Sequence, residues 1–350
     1  MKNEELGVWS EKCSTLNFQV STLRRGRVLV APLNWGLGHA TRCVPIIRKL
    51  LRQGREVVIA ADGYPLRFLR REFPHLEWVE FEGLKVEYAD GESQVGAMLR
   101  QLPGFLRGIW REHKELKRIV EAYDIDVVLS DNRFGLWCKD VYSVYMTHQL
   151  MVKMPKGLQW MEWCVWRFHR WFIKHYDECW VPDVEGEDNL SGDLSHKYPL
   201  LKNTKFIGVL SRFLTKKIEW EEVRVDAEAH YLDKRYDVVV VISGLEPHRT
   251  NLEKAVGSEE LGVRSEGLIL VVQGLPADDL RLATRTDEGI HYIPHLPTEL
   301  LQWYMQEAKQ IVCRSGYSSI MDLHTIGRKA HLIPTPGQTE QEYLKIIYTS

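Results

Sequence analysis

The sequence lacks a paired-cysteine motif, a long apolar run and an excess of either charge. Its six cysteines are scattered over 350 residues without a C-x-x-C pair, which argues against a zinc cluster or a disulfide framework and favours a reducing, cytoplasmic environment. No segment reaches the ~18 consecutive apolar residues of a membrane-spanning helix. A net charge of -2 provides no overall attraction for nucleic acid. What remains is the composition of an ordinary soluble enzyme.

Length and patterning predict two α/β domains. The chain, at 350 residues, is too long for a single ordinary hydrophobic core. We therefore expect two domains of about 150 to 170 residues each. Short apolar runs alternate with helical stretches in both halves, as in parallel sheets covered by helices on both faces. A polar, turn-rich stretch over 183–205 marks the boundary. We predict a disordered leader over 1–25 and Rossmann-like domains over 26–204 and 205–350, with ligands at the strand ends between them.

The candidate strands are short and rich in β-branched residues. Those of the first half are 27–31, 56–60, 126–130, 144–147 and 179–182. Those of the second half are 205–209, 237–243, 268–273, 290–294, 310–313 and 330–334.

The most informative motif follows the predicted strand 310–313. It consists of Arg314, Ser315, Gly316, Ser318, Ser319 and Asp322. A helix should begin at Gly316, where the missing side chain would let backbone N–H groups approach a diphosphate. Ser318 and Ser319 supply hydroxyl donors in the first turn, and the Asp322 carboxylate can accept two ribose hydroxyl bonds.

Two further glycine turns follow predicted strands. Ser243 and Gly244 offer neutral donors for a phosphate, and Arg249 adds a cation; the alternative is a solvated turn. In the first half, Gly36 and Gly38 precede His39 at the start of a helix, where the imidazole could act as a base or a donor. The alternative there is a tight turn with a capping histidine.

Polar residues also end two neighbouring strands of the first half. Asp131 and Asn132 follow one, and His148 and Gln149 follow the next. We expect acceptor contacts there, although such an aspartate is often a helix cap and such a histidine is often part of the core.

Together with the turn that carries Gln338, Glu340 and Gln341, these motifs resemble the GT-B glycosyltransferases, specifically the MurG-like group with a family 28 C-terminal domain. The resemblance spans roughly residues 27–344 and implies two Rossmann-like domains facing a cleft. By this resemblance the amino-terminal loop through His39 corresponds to the family's glycine loop. The donor contacts it implies are Ser243, Gly244 and Arg249 beside the diphosphate, 315–319 around it, Asp322 on the ribose, and Glu340 and Gln341 on the sugar.

The resemblance also implies a reaction. It is the inverting, metal-independent transfer of a hexose or N-acetylhexosamine from UDP to a glycolipid or lipopolysaccharide-type acceptor, without a cofactor, and with His39 or Asp131 as base. GT-B chains usually close with a helix that crosses back to the first domain, so an ending at Ser350 is expected to be truncated. The alternatives are a sugar-nucleotide epimerase and a non-catalytic sugar-nucleotide binding protein.

Two amphipathic stretches carry basic and aromatic residues. Trp163, Arg167 and Arg170 share one face of a predicted helix over 160–174, and Arg107 and Arg111 share a face of another. Tryptophan and arginine suit the headgroup level of a bilayer, so we predict contact with an anionic membrane, on the inner face of the plasma membrane. The alternatives are a core or domain-packing helix for the first stretch and a merely solvated face for the second.

Overall fold

The computed structural model describes residues 26–83, 94–155, 157–220, 235–256, 267–276, 285–287 and 289–349. The leader predicted over 1–25 lies outside these residues. By their contacts the described residues form two compact units. The first unit contains residues 26–34 and Cys43–Leu210, and the second contains Trp35–Arg42 and the described residues from Ser211 onward.

The first unit is built on a parallel sheet. Its elements, including the helix whose first residues belong to the second unit, are β1 (Arg27–Pro32), α1 (Gly38–Arg52), β2 (Glu56–Ala61), α2 (Gly63–Glu72), β3 (Glu77–Glu80), α3 (Gln94–Ala122), β4 (Ile125–Asp131), β5 (Tyr142–Met146), α4 (Met161–Ile173), β6 (Glu178–Val181), α5 (Asp193–His196) and β7 (Thr204–Phe206). The strand order is β3-β2-β1-β4-β5-β6-β7, and each neighbouring pair is parallel. The carboxyl ends of these strands therefore share one edge.

The central strands form the core of this sheet. Leu29 of β1, Val58 of β2 and Val128 of β4 pack in one cluster with Leu116 of α3. These strands are apolar on both faces because helices cover both sides of a parallel sheet.

Three strands differ from the sequence prediction. Arg285–Asp287 of the second unit was missed because it is only three residues long and contains no apolar residue. Glu77–Glu80 was missed because it is a charged, mostly exposed edge strand without an apolar run. The strand predicted over 205–209 to open the second half is β7, and Thr204 to Phe206 pair with β6. It therefore completes the first sheet, since pairing partners and not chain position decide which sheet a strand joins.

The second unit carries another sheet. Its elements are β8 (Val238–Val241), α6 (His248–Ala255), β9 (Ile269–Val272), β10 (Arg285–Asp287), β11 (Ile290–Ile293), α7 (Thr298–Glu307), β12 (Gln310–Arg314), α8 (Tyr317–Thr325), β13 (His331–Ile333) and α9 (Thr339–Thr349). The order is β10-β11-β9-β8-β12-β13. All neighbours pair in parallel except β10 and β11.

Strands β8 and β12 are adjacent at the centre of this sheet. Val239 pairs with Ile311 and Val241 with Cys313. Because both strands run in the same direction, the turns that follow them, at Gly244 and Gly316, emerge at the same edge.

A buried ion pair fixes the first unit's strand-end loop. Arg133, just after β4, donates from Nε to Glu112 Oε1 of α3 at 3.0 Å, and both side chains are almost fully buried. The guanidinium also donates to the carbonyls of Phe81 and Glu82 at 3.2 and 3.0 Å. Burial raises the pKa of Glu112, an effect that the Arg133 charge opposes. The loop that follows Asp131 is thereby tied to a helix.

We expect Glu112→Ala to reduce the free energy of unfolding by roughly 3–5 kcal/mol, because it leaves the Arg133 guanidinium buried without its carboxylate. The matched control is Glu115→Ala on the same helix, whose pair with Arg118 is exposed and contributes less than about 1 kcal/mol. Denaturant unfolding of both variants measures the difference. Equal effects would contradict a structural role for the buried pair.

Candidate functional site

Arg314 and Ser315, at the end of β12, bind neighbouring loops. Arg314 donates to the carbonyls of Pro334 and His248 at 3.0 and 2.6 Å, and burial lowers its pKa. Ser315 is fully buried and donates to the carbonyl of Gln341 at 2.7 Å. These side chains hold together the starts of α6 and α9 and the end of β13.

Gly316 caps the amino terminus of α8 with φ -74°, a backbone conformation open to any residue. A Cβ at this position would meet nothing within 4 Å, so the glycine leaves space in front of the helix terminus. Ser318 and Ser319 lie half-buried in the first turn. Ser318 Oγ donates to the Gly38 carbonyl within the second unit at 2.7 Å. The first N–H groups of a helix have no partners within that helix, so an anion binds favourably at such a terminus.

The other two glycine turns meet in the same unit. Gly244 has φ +105°, which only glycine adopts readily. A Cβ on Gly36, at φ +91°, would lie 3.5 Å from the Gly244 N and Cα atoms. Ser243 is half-buried beside this approach. The structure thus brings the turns at Gly36 and Gly244 together at backbone distance.

Arg249 lies among acidic residues. Its Nε donates to Glu246 Oε1 at 2.7 Å, and its Nη1 lies 3.5 Å from Glu253 Oε2. The cation predicted to face a diphosphate is therefore shared between two carboxylates. Contact with a phosphate oxygen would have to compete with these ion pairs.

Asp322 is buried and contacts the chain where the second unit begins. Ser211 Oγ donates to its Oδ1, and Arg212 Nε lies 3.9 Å from its Oδ2. Burial raises the pKa of Asp322 to about 6, although the Arg212 charge and the Ser211 hydrogen bond act in the opposite direction. Sequence reasoning missed Ser211 and Arg212, since no motif links them to a residue 111 positions away from Ser211.

Residues in and beside the glutamine-rich turn form hydrogen bonds with one another. Gln341 Oε1 accepts from the Thr335 N–H at 2.8 Å, and its Nε2 donates to Gln338 Oε1. Glu340 is half-buried in the first turn of α9. Gln338 and Gln341 therefore shape the loop between β13 and α9.

His39 is bound by a residue that sequence reasoning missed. Arg42 Nη2 lies 2.9 Å from His39 Nδ1, and Arg42 is only 2% exposed. The sequence does contain a signal for this contact, because residues three apart on a helix are neighbours.

The strand-end residues of the first unit lie after adjacent strands. Asp131 is fully buried, with Cys43 Sγ 3.8 Å from its Oδ2. Asn132 has φ +59°, and its Oδ1 accepts from Tyr145 Oη at 2.9 Å. His148 is buried and Gln149 is half-buried; β4 and β5 pair directly, which places the four predicted residues along one edge.

Asp62, at the end of β2, is a further polar residue that the motifs did not indicate. It is 8% exposed, and its Oδ2 accepts from the Gly83 N–H at 3.4 Å. Within the described part of the chain its buried Oδ1 has no hydrogen-bond partner. This carboxylate lies at the same sheet edge as Asp131.

Comparison with known proteins places these elements in a fold. Residues 27–157 match the family described as Glycosyl transferase family 1. An uncharacterized glycosyltransferase of Methanosarcina acetivorans is 26% identical over 166 residues, which are 45% of this chain and 42% of that protein. The match therefore spans less than half of the relative's length.

Solved structures match over nearly the whole chain. The rhamnosyltransferase SpnG matches with a TM-score of 0.55 at 17% identity, over 92% of this chain and 84% of that one. SnogD from Streptomyces nogalater matches with a TM-score of 0.51 at 15% identity, over 93% and 85%. The chain has the GT-B fold.

The structural similarity does not distinguish one group of GT-B proteins from another. MurG of Acinetobacter baumannii has a TM-score of 0.50 at 12% identity, over 93% of this chain and 83% of that one. This similarity is no greater than that to SpnG or SnogD, so the MurG-like group is not singled out. Among the helices that are described, none has the length and apolar character needed to cross a bilayer.

The pKa of Asp322 predicts a pH dependence of stability. Its folded value, about 6, lies above the ordinary 3.8, so the folded protein keeps a proton that the unfolded chain releases. The free energy of unfolding should therefore fall by roughly 3 kcal/mol as pH rises from about 4 to about 6.

Asp322→Asn should remove this decline because the amide does not titrate. Denaturant unfolding across the pH range measures it, with the exposed Asp188 changed to Asn as control. A variant whose pH profile parallels that of the wild type would contradict the assignment.

Proposed function

We propose that this protein is a glycosyltransferase that moves a hexose or N-acetylhexosamine from a UDP-sugar to a membrane-associated glycolipid or lipopolysaccharide-type acceptor. The transfer is inverting and independent of a metal. The observation that carries the proposal is the pair of glycine turns after β8 and β12, at one sheet edge, beside the open amino terminus of α8.

The comparisons support transfer between a nucleotide sugar and an acceptor. Residues 27–157 match a glycosyltransferase family, and structures of SpnG exist with thymidine diphosphate and with spinosyn aglycone. For this chain we propose a nucleoside diphosphate at Gly244 and Gly316, with Asp322 toward the ribose. Backbone N–H groups and the α8 dipole stabilise the diphosphate as it leaves.

The acceptor half rests on strand-end polar groups. An attacking hydroxyl must lose its proton as it bonds to the anomeric carbon, and the electron pair of the broken bond leaves with the diphosphate. His39 or Asp131 is the group proposed to take up this proton. His148, Gln149 and Asn132 would orient the acceptor.

An exposed aromatic and basic surface supports a membrane-associated acceptor. Helices α3 and α4 pack through Ile109 and Phe172. On the outside, Trp110, Trp160, Trp163 and Trp171 are 67%, 70%, 50% and 57% exposed. Exposed tryptophans on adjoining helices suit the headgroup level of a bilayer.

Cations accompany these rings. The Arg167 guanidinium lies 5.0 Å from the Trp163 ring centre, and Arg170 lies 5.3 Å from that of Trp166. Arg107 and Arg111 are exposed on α3. Basic residues among aromatic ones favour an anionic surface.

The surface also contains exposed apolar side chains. Phe168 is 41% exposed, and Leu102 and Leu106 are 39% and 44% exposed. The buried face of α4 is formed by Glu162, His169, Phe172 and Ile173. Lys197 pairs with Glu162 at 2.6 Å, which explains how a carboxylate occupies that face.

The donor site can be tested by blocking the space before α8. Gly316→Leu should weaken UDP binding, measured by calorimetry, by at least about tenfold, because the side chain would occupy the phosphate position. The matched control is Gly104→Leu, since Gly104 also lacks nearby atoms and a positive φ. Unchanged UDP affinity in Gly316→Leu would remove the donor site from this location.

The reaction is tested with a panel of nucleotide sugars and a membrane extract. Release of UDP together with labelled lipid is the expected result. Alteration of the nucleotide sugar without extract would identify an epimerase, and binding without release would identify a non-catalytic protein.

The membrane surface is tested by sedimentation with liposomes containing anionic lipid. Reversing Arg107, Arg111, Arg167 and Arg170 to Glu should release the protein, since each basic residue near the surface contributes about 1 kcal/mol. The control reverses four exposed cations elsewhere on the first unit, Arg52, Arg67, Lys139 and Lys202. Equal binding of both variants would exclude this surface as the membrane contact.

A further inference from the structure

The contact between Arg42 and His39 determines which imidazole nitrogen carries a proton. Arg42 Nη2 and His39 Nδ1 are 2.9 Å apart on consecutive turns of α1. A guanidinium has only donors and stays charged at any ordinary pH. His39 Nδ1 must therefore accept this hydrogen bond with its lone pair.

Other protonation states are incompatible with this contact. A proton on Nδ1 would point one N–H at another, which is repulsive and removes this hydrogen bond. A doubly protonated ring would also place a second positive charge against the guanidinium. The neutral ring with its proton on Nε2 is the state that satisfies both groups.

We propose that Arg42 is a positioning residue that holds His39 as a hydrogen-bond donor through Nε2–H. His39 then stabilises a substrate oxygen, of a phosphate or of a hydroxyl, and does not remove the acceptor proton, which leaves Asp131 as the proposed base. A base needs a lone pair on the nitrogen that faces its substrate. Here the available lone pair of the neutral ring is on Nδ1, where it accepts the hydrogen bond from Arg42. This inference rests on the proposed glycosyl transfer and decides between the two candidate roles of His39.

The burial of Arg42 supports this role. Its side chain is among the largest that are fully buried, at 2% exposure, whereas His39 is half-buried. The more deeply buried partner is the one held by its surroundings, and it can orient the less buried ring. Orientation of a histidine by its second nitrogen is the usual way in which proteins select a tautomer.

Nitrogen NMR of protein labelled in its histidine rings tests the tautomer without any substrate. Near neutral pH, at about 7, where a free imidazole would be mostly neutral, the His39 signals should show an unprotonated Nδ1 and a protonated Nε2. The protein has 13 histidines, and the signal lost in His39→Gln identifies the residue. A protonated Nδ1 would overturn the proposal.

Variants of Arg42 show whether it sets the tautomer. Arg42→Leu should shift His39 toward a mixture of tautomers, whereas Arg42→Lys keeps a donor and should retain more of the Nε2–H form. Lysine also serves as the control for folding, because leucine removes a buried cation. If Arg42→Lys folds and its His39 tautomer matches the wild type while Arg42→Leu also leaves it unchanged, Arg42 does not position the ring.

The activities of two His39 variants distinguish a hydrogen-bond donor from a general base. Glutamine carries an amide N–H near the position of Nε2 but has no basic nitrogen. His39→Gln should therefore retain UDP release from the nucleotide sugar within about tenfold of wild type, whereas His39→Ala should lose about 10²-fold, as for removal of an oxyanion donor. Equal loss in both variants would show that His39 is the base.

The two sources of the bound oxygen are also distinguishable. If Nε2–H faces the diphosphate, His39→Ala should weaken UDP binding as well as turnover; if it faces the acceptor hydroxyl, UDP affinity should stay unchanged. A protein that releases no UDP in any assay would refute the proposed transfer, while the NMR result would still decide the tautomer.

Discussion

The parallel pairing of β8 with β12 is the constraint on which the candidate site depends. Val239 faces Ile311 and Val241 faces Cys313 across the ladder, so the two strands end together. A slip of the register would move one glycine turn away from the other and reverse the faces of each strand. The buried valines on both strands make that slip unfavourable. The hydrophobic core thus sets the spacing of the polar turns.

Local features of the sequence predicted most of the strands and the glycine turns. Runs such as 238–241 are short, apolar throughout and β-branched, which is typical of a buried parallel strand. The sequence could not place β7 or reveal the bond from Ser211 to Asp322, because both depend on residues far apart in the chain. From the sequence, Arg249 was predicted to contact a ligand, because Glu246 and Glu253 were not recognised as its partners.

Polar residues that the motifs assigned to the ligand largely organise the protein itself. Arg314, Ser315 and Gln341 each bond to main-chain groups of neighbouring loops. Such bonds fix the loops that surround the glycine turns, and a fixed set of donors does not need to reorganise when charge develops. The side chains that look like ligand contacts in the sequence therefore act one step away, by holding the backbone in place.

The binding of these side chains to groups of the protein itself has an electrostatic consequence. Arg212 and Arg249 contact carboxylates and Arg314 contacts carbonyls, so each of these cations is already engaged. A diphosphate at the second unit would then be held chiefly by neutral N–H groups and by the partial positive charge at the start of α8. Neutral donors bind an anion with less dependence on ionic strength than paired full charges do. In the proposed transfer they would also let the diphosphate depart, because no strong ion pair has to be broken.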